Sequence, residues 1–265
     1  MSRRAIPFFS INGIASEVGP PITANLLYHL DASTNDNVYN DAGVTKCTNG
    51  DTVQQWNSSN NSRFAQQLTS SEKPTFRTGG QNGKSYIEFV ASPNEWLYID
   101  TWESAYESDN YTIYVVWEAV GTNSGETYPF IMSIGRAPST ALSQYFTSSS
   151  NEYEFAFTSW TGDYFDNADY ADNTVQAYCH RVEAGVGQNL LVNDGEETTG
   201  TAEESPNYGS SNQRVAIACS WSGTSDARHT NMELYELLAY DSTHSDADRT
   251  LTMNYLNTKY NIWSP

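Results

Sequence analysis

The amino-acid sequence predicts an all-β domain with an extended arm at its N-terminal end and one helix at its C-terminal end. Composition is the first observation behind this prediction. Ser, Thr, Asn, Gly and Tyr are abundant, while charged residues make up only 17% of the chain, a mixture that favours strands joined by long polar loops. The second observation is that short apolar or alternating segments recur from residue 24, whereas helical periodicity is convincing only near the C-terminus.

The domain organisation follows from the same pattern. Residues 1–23 are predicted to form the arm, and residues 24–265 to form one β domain. The length of 265 residues would allow two small domains. However, all-β domains reach this size as one unit, and no composition break marks a second boundary.

The segment YTIYVVWEAV, residues 111–120, is the clearest predicted strand. Tyr111, Ile113, Val115 and Trp117 share one face, and the other face is only partly polar. We therefore expect a strand that is covered on both sides. The other predicted strands are residues 26–30, 86–89, 96–99, 129–134, 142–147, 153–160, 175–183, 188–192, 214–221 and 232–240, with a further short strand near Phe76.

The predicted helix follows the last strand. Ser245 is a natural N-cap, and Asp248 three residues later completes a pattern that resembles a capping box. Lys259 falls in the last turn, where a cation suits the helix dipole. Apolar residues at i+4 steps predict one face that docks on a sheet. The residues expected on this face are Ala247, Leu251, Tyr255 and Leu256.

Charge and cysteine content exclude several classes of function. The formal net charge of −19 repels phosphate backbones, which argues against a nucleic-acid partner. No apolar run approaches the ~18 residues of a membrane helix, so no membrane contact is expected. Cys47, Cys179 and Cys219 are odd in number and form no C-x-x-C pair, which disfavours a zinc site or a disulfide framework. The formation of one disulfide between two of them stays an open alternative.

The N-terminal arm allows two interpretations. Arg3 and Arg4 precede a mildly apolar stretch that includes Phe8 and Phe9, as in an export signal. Pro7 and later polar residues interrupt that stretch, and no A-x-A cleavage site follows. The favoured interpretation is an ordered arm that contacts a partner subunit through Arg3, Arg4, Phe8 and Phe9.

Several phrases of the sequence, in this order, resemble the concanavalin A-like lectin/glucanase superfamily in its laminin-G-like branch, as found in phage structural proteins. The phrases are LLYHLDAS, VQQWN, KPTF, GKSYIEF, YTIYVVWEA, LLVNDG, ELLAYDSTHSDADR and NYLNTKY, over about residues 24–263. The chain departs from the family pattern at His244 and Asp248, where Leu and Glu are usual. The resemblance implies a two-sheet antiparallel jelly roll with the last helix packed against its edge. Fold alone does not fix function.

The sequence contains no complete motif of catalytic groups. Family hydrolases place their acids on one strand as E-x-D-x-x-E, and the nearest segment here is Glu152-Tyr153-Glu154, which lacks the third acid and the central Asp. Glu236 matches the family's glutamate near the C-terminus and is expected to fill a structural role. No G-x-S-x-G elbow is present, and the histidines lack metal spacing. We therefore expect a protein that is not an enzyme.

Aromatic residues in polar loops are the candidate contacts for a glycan or for a protein partner. Ring faces cover the apolar side of a sugar, while amides and acids bind its hydroxyls; Tyr and Trp are equally enriched at protein interfaces. The loop after residue 158 supplies the first set, and the segment around residue 105 supplies the second. The candidates are Trp160, Asp163, Tyr164, Asp169 and Tyr170, followed by Trp102 and Tyr106.

Calcium is the metal that the loops would suit best, although no cofactor is expected otherwise. Carboxylates are hard ligands, and two loops contain several of them without the spacing of an EF-hand. These residues are Asp31, Asp36 and Asp41, and later Asp163, Asp166 and Asp169. Asp-rich loops are more often turns than ion cages.

These observations support three hypotheses of function. The first is a virion protein, a bacteriophage capsid decoration or fibre-associated protein. Its lectin-like domain would bind capsid or tail neighbours, with host glycans as an additional ligand and a homo-oligomer as a further possible assembly. The second is a secreted glycan-binding module or adhesin, and the third is a glucanase that uses Glu152.

Overall fold

A computed structural model describes the domain in residues 19–60, 63–101, 106, 110–121, 130–135, 142–149, 152–158, 173–195, 197–201, 213–221 and 226–264. In residues 142–149, 152–158 and 198–201 only the course of the backbone is described. Within these ranges no helix is both long and apolar enough to cross a membrane.

The described strands form two large antiparallel sheets. In chain order they are β1 (Leu26–Asp31), β2 (Val38–Tyr39), β3 (Gln55–Asn57), β4 (Phe64–Gln66), β5 (Thr75–Arg77), β6 (Tyr86–Phe89), β7 (Leu97–Ile99), β8 (Tyr111–Ala119), β9 (Phe130–Gly135), β10 (Leu142–Ser149), β11 (Glu152–Thr158), β12 (Gln176–Glu183), β13 (Gly187–Val192), β14 (Thr198–Thr201), β15 (Arg214–Ile217), β16 (Ser220–Trp221), β17 (Asp226–Ala227) and β18 (Met232–Tyr240). Short 3-10 turns at Ser70–Glu72 and Gln81–Gly83 and the helix α1 (Asp246–Tyr260) complete the elements.

Sheet A has the order β14-β13-β12-β8-β18-β6-β5, and β1 also pairs with β18. Sheet B has the order β11-β10-β9-β15-β7-β4-β3-β2, while β16 and β17 form a separate pair. The two halves of β18 have different neighbours on one side, because residues 236–240 pair with β1 and residues 232–234 pair with β6. The prediction of an all-β sandwich with a helix at the C-terminal end is confirmed.

An apolar layer between the sheets forms the main core. Alternate residues of β8, Ile113, Val115 and Trp117, point into this layer and are buried. Sheet B supplies Trp56 and Ile217 among others from the opposite side. Each buried apolar side chain of this size contributes about 1.5–3 kcal/mol relative to exposure, so the layer provides the main driving force for folding.

The other face of β8 is also buried, as the sequence predicts. Tyr114 and Val116 lie beneath α1, where they contact the apolar residues of the helix. The helix therefore covers the outer face of sheet A over its central strands, and the expected packing against the sheet edge is wrong. Central strands are the most apolar on their outer side, so covering them removes the most apolar area from water.

The predicted docking face of α1 is correct at Leu256, which is buried, and at Tyr255, which is partly buried against the same apolar layer. Leu251 is 53% exposed and Ala247 is also exposed. The residues that the helix buries are Thr252, Met253, Leu256 and Tyr260. The i+4 series misled the prediction at Ala247 and Leu251, because Met253 and Tyr260 offer more apolar area. The rotation of a helix on a sheet is set by that total area.

The ends of α1 follow the sequence closely. The Asp248 N–H donates to Ser245 Oγ at 3.2 Å, and Ser245 Oγ donates to the Asp248 carboxylate at 2.7 Å. The predicted N-cap and capping box are therefore confirmed. The helix ends at Asn261, which adopts a left-handed conformation with φ of 54°, a role that Asn tolerates better than most residues.

The segment RVAIACSW departs from the prediction of one strand. Ala218 has a φ of 68°, which ends β15 and separates it from β16. Two hydrogen bonds hold this unfavourable conformation: Ala218 N–H donates to Ile131 at 2.7 Å, and the Ala218 carbonyl accepts from Thr230 at 3.1 Å. Cys219 beyond the bend is buried, as expected.

Most of the predicted N-terminal arm, residues 1–18, lies outside the described part of the chain, together with Arg3, Arg4, Phe8 and Phe9. The last arm residues contact the domain. The Ile22 side chain packs beside the apolar layer under α1, and its carbonyl accepts a hydrogen bond from Tyr240 Oη at 3.1 Å.

Candidate functional site

The outer face of sheet B presents polar and aromatic side chains. In β7, Leu97 and Ile99 enter the core, and the strand alternation turns Tyr98 outward. In β15 the same alternation buries Val215 in the core and turns Arg214 outward. Strand pairing brings these side chains together, because Val215 is opposite Ile99.

Arg214 is the centre of a compact group of side chains on this face. Its guanidinium carbon lies 4.0 Å from the centroid of the Trp221 ring and 4.3 Å from that of Tyr98. Trp96 stacks on Trp221 with a centroid distance of 5.7 Å. The Arg214 Nη2 also lies 2.9 Å from an Asp100 carboxylate oxygen. We call these five residues the Arg214 cluster.

Neighbouring contacts fix the position of the Arg214 cluster. Trp96 Nε1 donates to the Glu72 carboxylate at 3.2 Å, so the indole is held at its polar edge. The side chain of Arg214 is 20% exposed, whereas that of Asp100 is 53% exposed. The cluster thus offers a carboxylate and the edge of a guanidinium at the surface, while cation–π contacts hold the base of Arg214.

Strands β3 and β4 extend this face with amides and one exposed ring. Gln66 pairs in register with Tyr98, which places Phe64, two residues earlier, opposite Asp100. Phe64 is 44% exposed. Gln66 Nε2 lies 3.4 Å from Asp100 Oδ2, and Gln55 Nε2 donates to Asn57 Oδ1 at 2.6 Å. No helix covers this half of sheet B within the described residues.

This arrangement suits a hydroxylated ligand with an apolar side. An exposed phenyl ring can cover C–H surface, and the adjacent carboxylate and amides can accept and donate hydrogen bonds to hydroxyls. The positive charge of Arg214 is balanced by Asp100, so the face has no net attraction for an anion.

The structure describes only one of the seven predicted glycan or partner contacts. Tyr106 has no exposed surface; its Oη lies 2.6 Å from Tyr28 Oη, and its ring meets Tyr111 edge-on at 5.3 Å. Tyr106 is therefore a core residue rather than a surface contact. The residues outside the described part of the chain are Trp102, Trp160, Asp163, Tyr164, Asp169 and Tyr170.

Sequence reasoning missed the described face. The segment FAQ of β4 and the start of RVAI each carry a signal, since a polar or exposed residue alternates with a buried one. However, Phe64 lies in a strand of only three residues, and this alternation is too short to identify an exposed binding residue from the sequence. The proximity of Asp100 and Arg214 results from the pairing of β7 with β15, which are distant in the chain.

A buried cluster of charges beneath α1 has the ligand set of a metal site. Ligand atoms of His29, Asp31 and Glu236 lie within 4.8 Å of one another. Lys259 Nζ lies 2.6 Å from Asp31 Oδ2 and 2.9 Å from Glu236 Oε2, so an ammonium ion already supplies the cation. Burial alone would raise the pKa of Glu236, but Lys259 and His29 hold that pKa at about 2.

The described acidic loop residues take part in local hydrogen bonds. The Asp36 carboxylate pairs with Lys46 at 2.7 Å, and Asp41 Oδ1 accepts from the N–H groups of Val44 and Thr45. These contacts are typical of turns. Asp163, Asp166 and Asp169 lie outside the described part of the chain, so calcium binding stays a prediction.

The four histidines have protein partners, in agreement with the structural roles predicted for them. His29 lies 2.6 Å from Glu236, and His244 Nδ1 lies 2.8 Å from Tyr114 Oη. His180 is 3.0 Å from Gln188, and burial lowers its pKa to about 3. His229 Nε2 lies 2.8 Å from Asp226 Oδ2 but lacks hydrogen-bond geometry. Glu236 is fully buried and hydrogen-bonded, as its predicted structural role requires.

Comparison with known proteins gives similarity at the level of the fold. No protein-family model and no curated protein sequence matches the chain. Among solved structures, Trypanosoma rangeli sialidase matches with a TM-score of 0.51 and 10% identity over 89% of this chain and 33% of its own. Domain 4 of AbnA, a GH43 extracellular arabinanase from Geobacillus stearothermophilus, matches with a TM-score of 0.50 and 13% identity over 86% and 98%.

A third structure with this fold is the binding domain of Paraclostridial Mosquitocidal Protein 1, with a TM-score of 0.53 and 11% identity over 87% of this chain and 52% of the other. The chain thus spans about a third of the sialidase and half of the toxin domain. At 10–13% identity these matches support the sandwich fold of the chain.

The comparisons contradict the expectation that the chain is not an enzyme. Solved structures that share its fold include sialidases and a sialidase mutant displaying trans-sialidase activity. This sandwich therefore occurs within enzymes, and the lack of an E-x-D-x-x-E segment does not exclude catalysis.

Proposed function

We propose that the chain is a carbohydrate-binding β-sandwich domain that holds a neutral oligosaccharide on the outer face of sheet B. The observation that carries this proposal is the exposed ring of Phe64, 44% accessible, beside Asp100 and Arg214 on a half of the sheet that no helix of the described residues covers. An exposed aromatic ring next to fixed polar groups is the combination that sugar recognition requires.

The shape of the face favours a chain of sugars over a single one. Phe64, Asp100 and Arg214 lie on adjacent strands, and neighbouring strands in a sheet are about 4.8 Å apart. The row therefore spans roughly two strand spacings, or about 10 Å. Gln55 and Asn57 continue it onto β3. An extended oligosaccharide can contact the whole row, whereas one ring cannot.

Charge favours a neutral ligand. The Arg214 guanidinium is already paired with Asp100 at 2.9 Å, so its charge is not available to attract an acid. The formal net charge of −19 adds a general repulsion of anionic glycans.

The ligands of two fold neighbours supply the first probes. The AbnA domain was solved in complex with arabinotriose, and the Trypanosoma rangeli sialidase with sialic acid. The former is a neutral oligosaccharide and the latter an acidic sugar. The proposal predicts binding within a panel of neutral oligosaccharides that includes arabinotriose, and weaker binding of sialic acid.

Isothermal titration calorimetry with this panel tests the proposal. Phe64→Ala should raise the Kd of the best ligand at least tenfold, which corresponds to a loss of about 1.4 kcal/mol in binding free energy. Leu68→Ala is the matched control, since Leu68 is a 62% exposed apolar residue outside the strand row, and it should leave affinity unchanged. Absence of binding across the panel, or equal effects of both substitutions, would contradict the proposal.

The same mixtures report on catalysis. Chromatography of each oligosaccharide after incubation with the protein distinguishes a domain that only binds sugar from one that also cleaves it. Shorter products that disappear in Glu152→Gln would assign hydrolysis to the strand β11, where Glu152 lies. Intact sugar after prolonged incubation would assign binding alone.

The virion location predicted from the sequence stays a proposal. In this proposal residues 1–23 attach the sugar-binding domain to capsid or tail proteins, and the domain contacts host glycans. The secreted adhesin is the alternative that shares the sugar-binding face. Deletion of residues 1–23 should abolish incorporation into particles while leaving the domain folded; normal incorporation would contradict an attachment role.

A further inference from the structure

A cleft of about 240 Å³ opens beside α1, on the opposite side of the sandwich from the Arg214 cluster. The helix covers the central strands of sheet A and leaves a groove between its flank and the turn that joins β13 to β14. Neither the sequence-based hypotheses nor the proposed face on sheet B uses this groove.

The cleft combines an apolar floor with a polar rim. Leu191, Met253 and Trp263 supply its apolar surface. Asp194 and Asn254 stand on opposite walls, one on the β13–β14 turn and the other on α1. Polar groups that converge over an apolar surface are the usual composition of a small-molecule site.

Hydrogen bonds fix both walls in advance of any ligand. Trp263 N–H donates to Asn257 Oδ1 and the Trp263 carbonyl accepts from Asn257 Nδ2, both at 2.9 Å. On the other wall, Asn193 N–H donates to the Ala177 carbonyl at 2.8 Å, and Asn193 Oδ1 accepts from Ala177 N–H at 2.9 Å. Preformed walls reduce the entropy cost of binding.

A group of four charges closes the base of the cleft. Glu197 bridges Arg181 and Arg249, with its Oε2 lying 2.5 Å from Arg249 Nη1. Arg181 Nη1 also donates to Asp246 Oδ1 at 2.8 Å. The two guanidinium groups and two carboxylates cancel, and Asp194 on the rim adds one negative charge. An anionic ligand is therefore disfavoured.

Arg249 retains unused donor capacity at this base. Its side chain is only 15% exposed, and its buried Nε has no hydrogen-bond partner within the described residues. Nη1 is close enough to Glu197 for an ion pair but lacks hydrogen-bond geometry. An unpaired buried donor costs free energy, and a ligand oxygen in the cleft could compensate for it after a small shift of the side chain.

We propose that this cleft is a second binding site, specific for a single neutral hydroxylated ring such as a monosaccharide. Its volume of about 240 Å³ lies below the range of roughly 300–1,000 Å³ that is usual for sites of drug-sized ligands, which favours a single ring. The Trp263 indole would contact the apolar side of the ring, while Asp194, Asn254 and Arg249 would bind its hydroxyls.

Nitrogen–proton correlation NMR with D-galactose, D-glucose and L-arabinose tests the site. At least one sugar should shift the signals of the Trp263 indole and the Asn254 amide at concentrations near 10 mM, as expected for a Kd of about 1 mM. Absence of shifts at both groups with all three sugars would overturn the proposal.

Substitutions then separate this site from the face on sheet B. Asn254→Ala and Asp194→Ala should each weaken monosaccharide binding at least fivefold, and a thermal melt establishes that each variant is folded. Val186→Ala, at a 65% exposed position in the β12–β13 turn, is the control and should change nothing. Phe64→Ala should also leave monosaccharide binding intact; a parallel loss there would assign the shifts to sheet B and overturn the proposal.

Discussion

Lys259 Nζ lies 2.9 Å from Glu236 Oε2, and the Glu236 side chain has no exposed surface. This contact joins the last turn of α1 to the centre of β18, and the 2.6 Å contact of the same ammonium with Asp31 extends the link to β1. Burying two charges is costly, so the pair need not add much net stability. Removing one partner leaves the other charge buried and uncompensated.

Lys259→Met should therefore destabilise the domain by about 3–5 kcal/mol, the range for a broken buried ion pair. Urea denaturation followed by tryptophan fluorescence measures the change. Lys46→Met is the matched control, because Lys46 pairs with Asp36 at an exposed site, and it should leave the urea midpoint unchanged. Similar midpoints for both variants would show that the buried pair has no special role.

The same pair predicts a loss of stability in acid. Burial opposes ionisation of Glu236, but Lys259 and His29 lower its pKa from 4.5 to about 2. A carboxyl whose pKa is depressed by folding stabilises the protein above its unfolded pKa, and this contribution is lost as pH falls toward the folded pKa. The contribution should thus be complete above about pH 4.5 and decline between pH 4.5 and about 2.

Urea midpoints at a series of pH values check this window. The difference in unfolding free energy between the parent protein and Glu236→Gln should be largest near neutrality and shrink below pH 4.5. A difference that stays constant down to pH 3 would mean that Glu236 does not carry the depressed pKa.

Ser245→Ala should cost about 1 kcal/mol, the usual value of an N-cap. The Ser245 hydroxyl accepts from Asp248 N–H at 3.2 Å, and its loss leaves that donor without its cap. Ser245→Thr should retain most of the stability. Thermal denaturation compares the stability of the parent protein, Ser245→Ala and Ser245→Thr, with Ser264→Ala as an exposed control near the C-terminus. Equal stability of Ser245→Ala and the control would contradict the capping role.

The three cysteines should behave as protected free thiols. Cys47, Cys179 and Cys219 are unpaired and buried. Burial raises the pKa of Cys47 and of Cys179 to about 12 and also raises that of Cys219. A thiol reagent at pH 8 should react with none of them in the native protein and with all three after unfolding without reductant. Fewer than three reactive thiols in the unfolded chain would indicate a disulfide.

The sequence was most informative where local chemistry and tertiary packing agree. Alternation in β8 predicted both buried faces, because a strand between a core and a helix has no polar side. The cap at Ser245 was predictable because its partner is three residues away. The packing of α1 was harder to predict from the sequence. Leu251 fits the apolar periodicity but lies in solvent, while Met253 and Tyr260 face the sheet.

Candidate sites were the least predictable part. Tyr106 lies in a segment rich in polar residues, yet its hydroxyl is satisfied by Tyr28 in the core. A Tyr with a buried partner and a Tyr on a binding surface look alike in sequence. The Arg214 cluster combines residues in and beside β7 with Arg214 of β15 and Trp221 of β16, so no short motif encodes it.

By itself the sequence determined the β class, the faces of the long strands and the start of the C-terminal helix, because these depend on residues a few positions apart. The tertiary structure alone decided which face of α1 is buried, that Lys259 supplies the cation for Glu236, and that Phe64, Asp100 and Arg214 form one surface. Those outcomes depend on the pairing of segments as distant as β1 and β18. Such pairing is set by total buried area and charge compensation, which no local pattern contains.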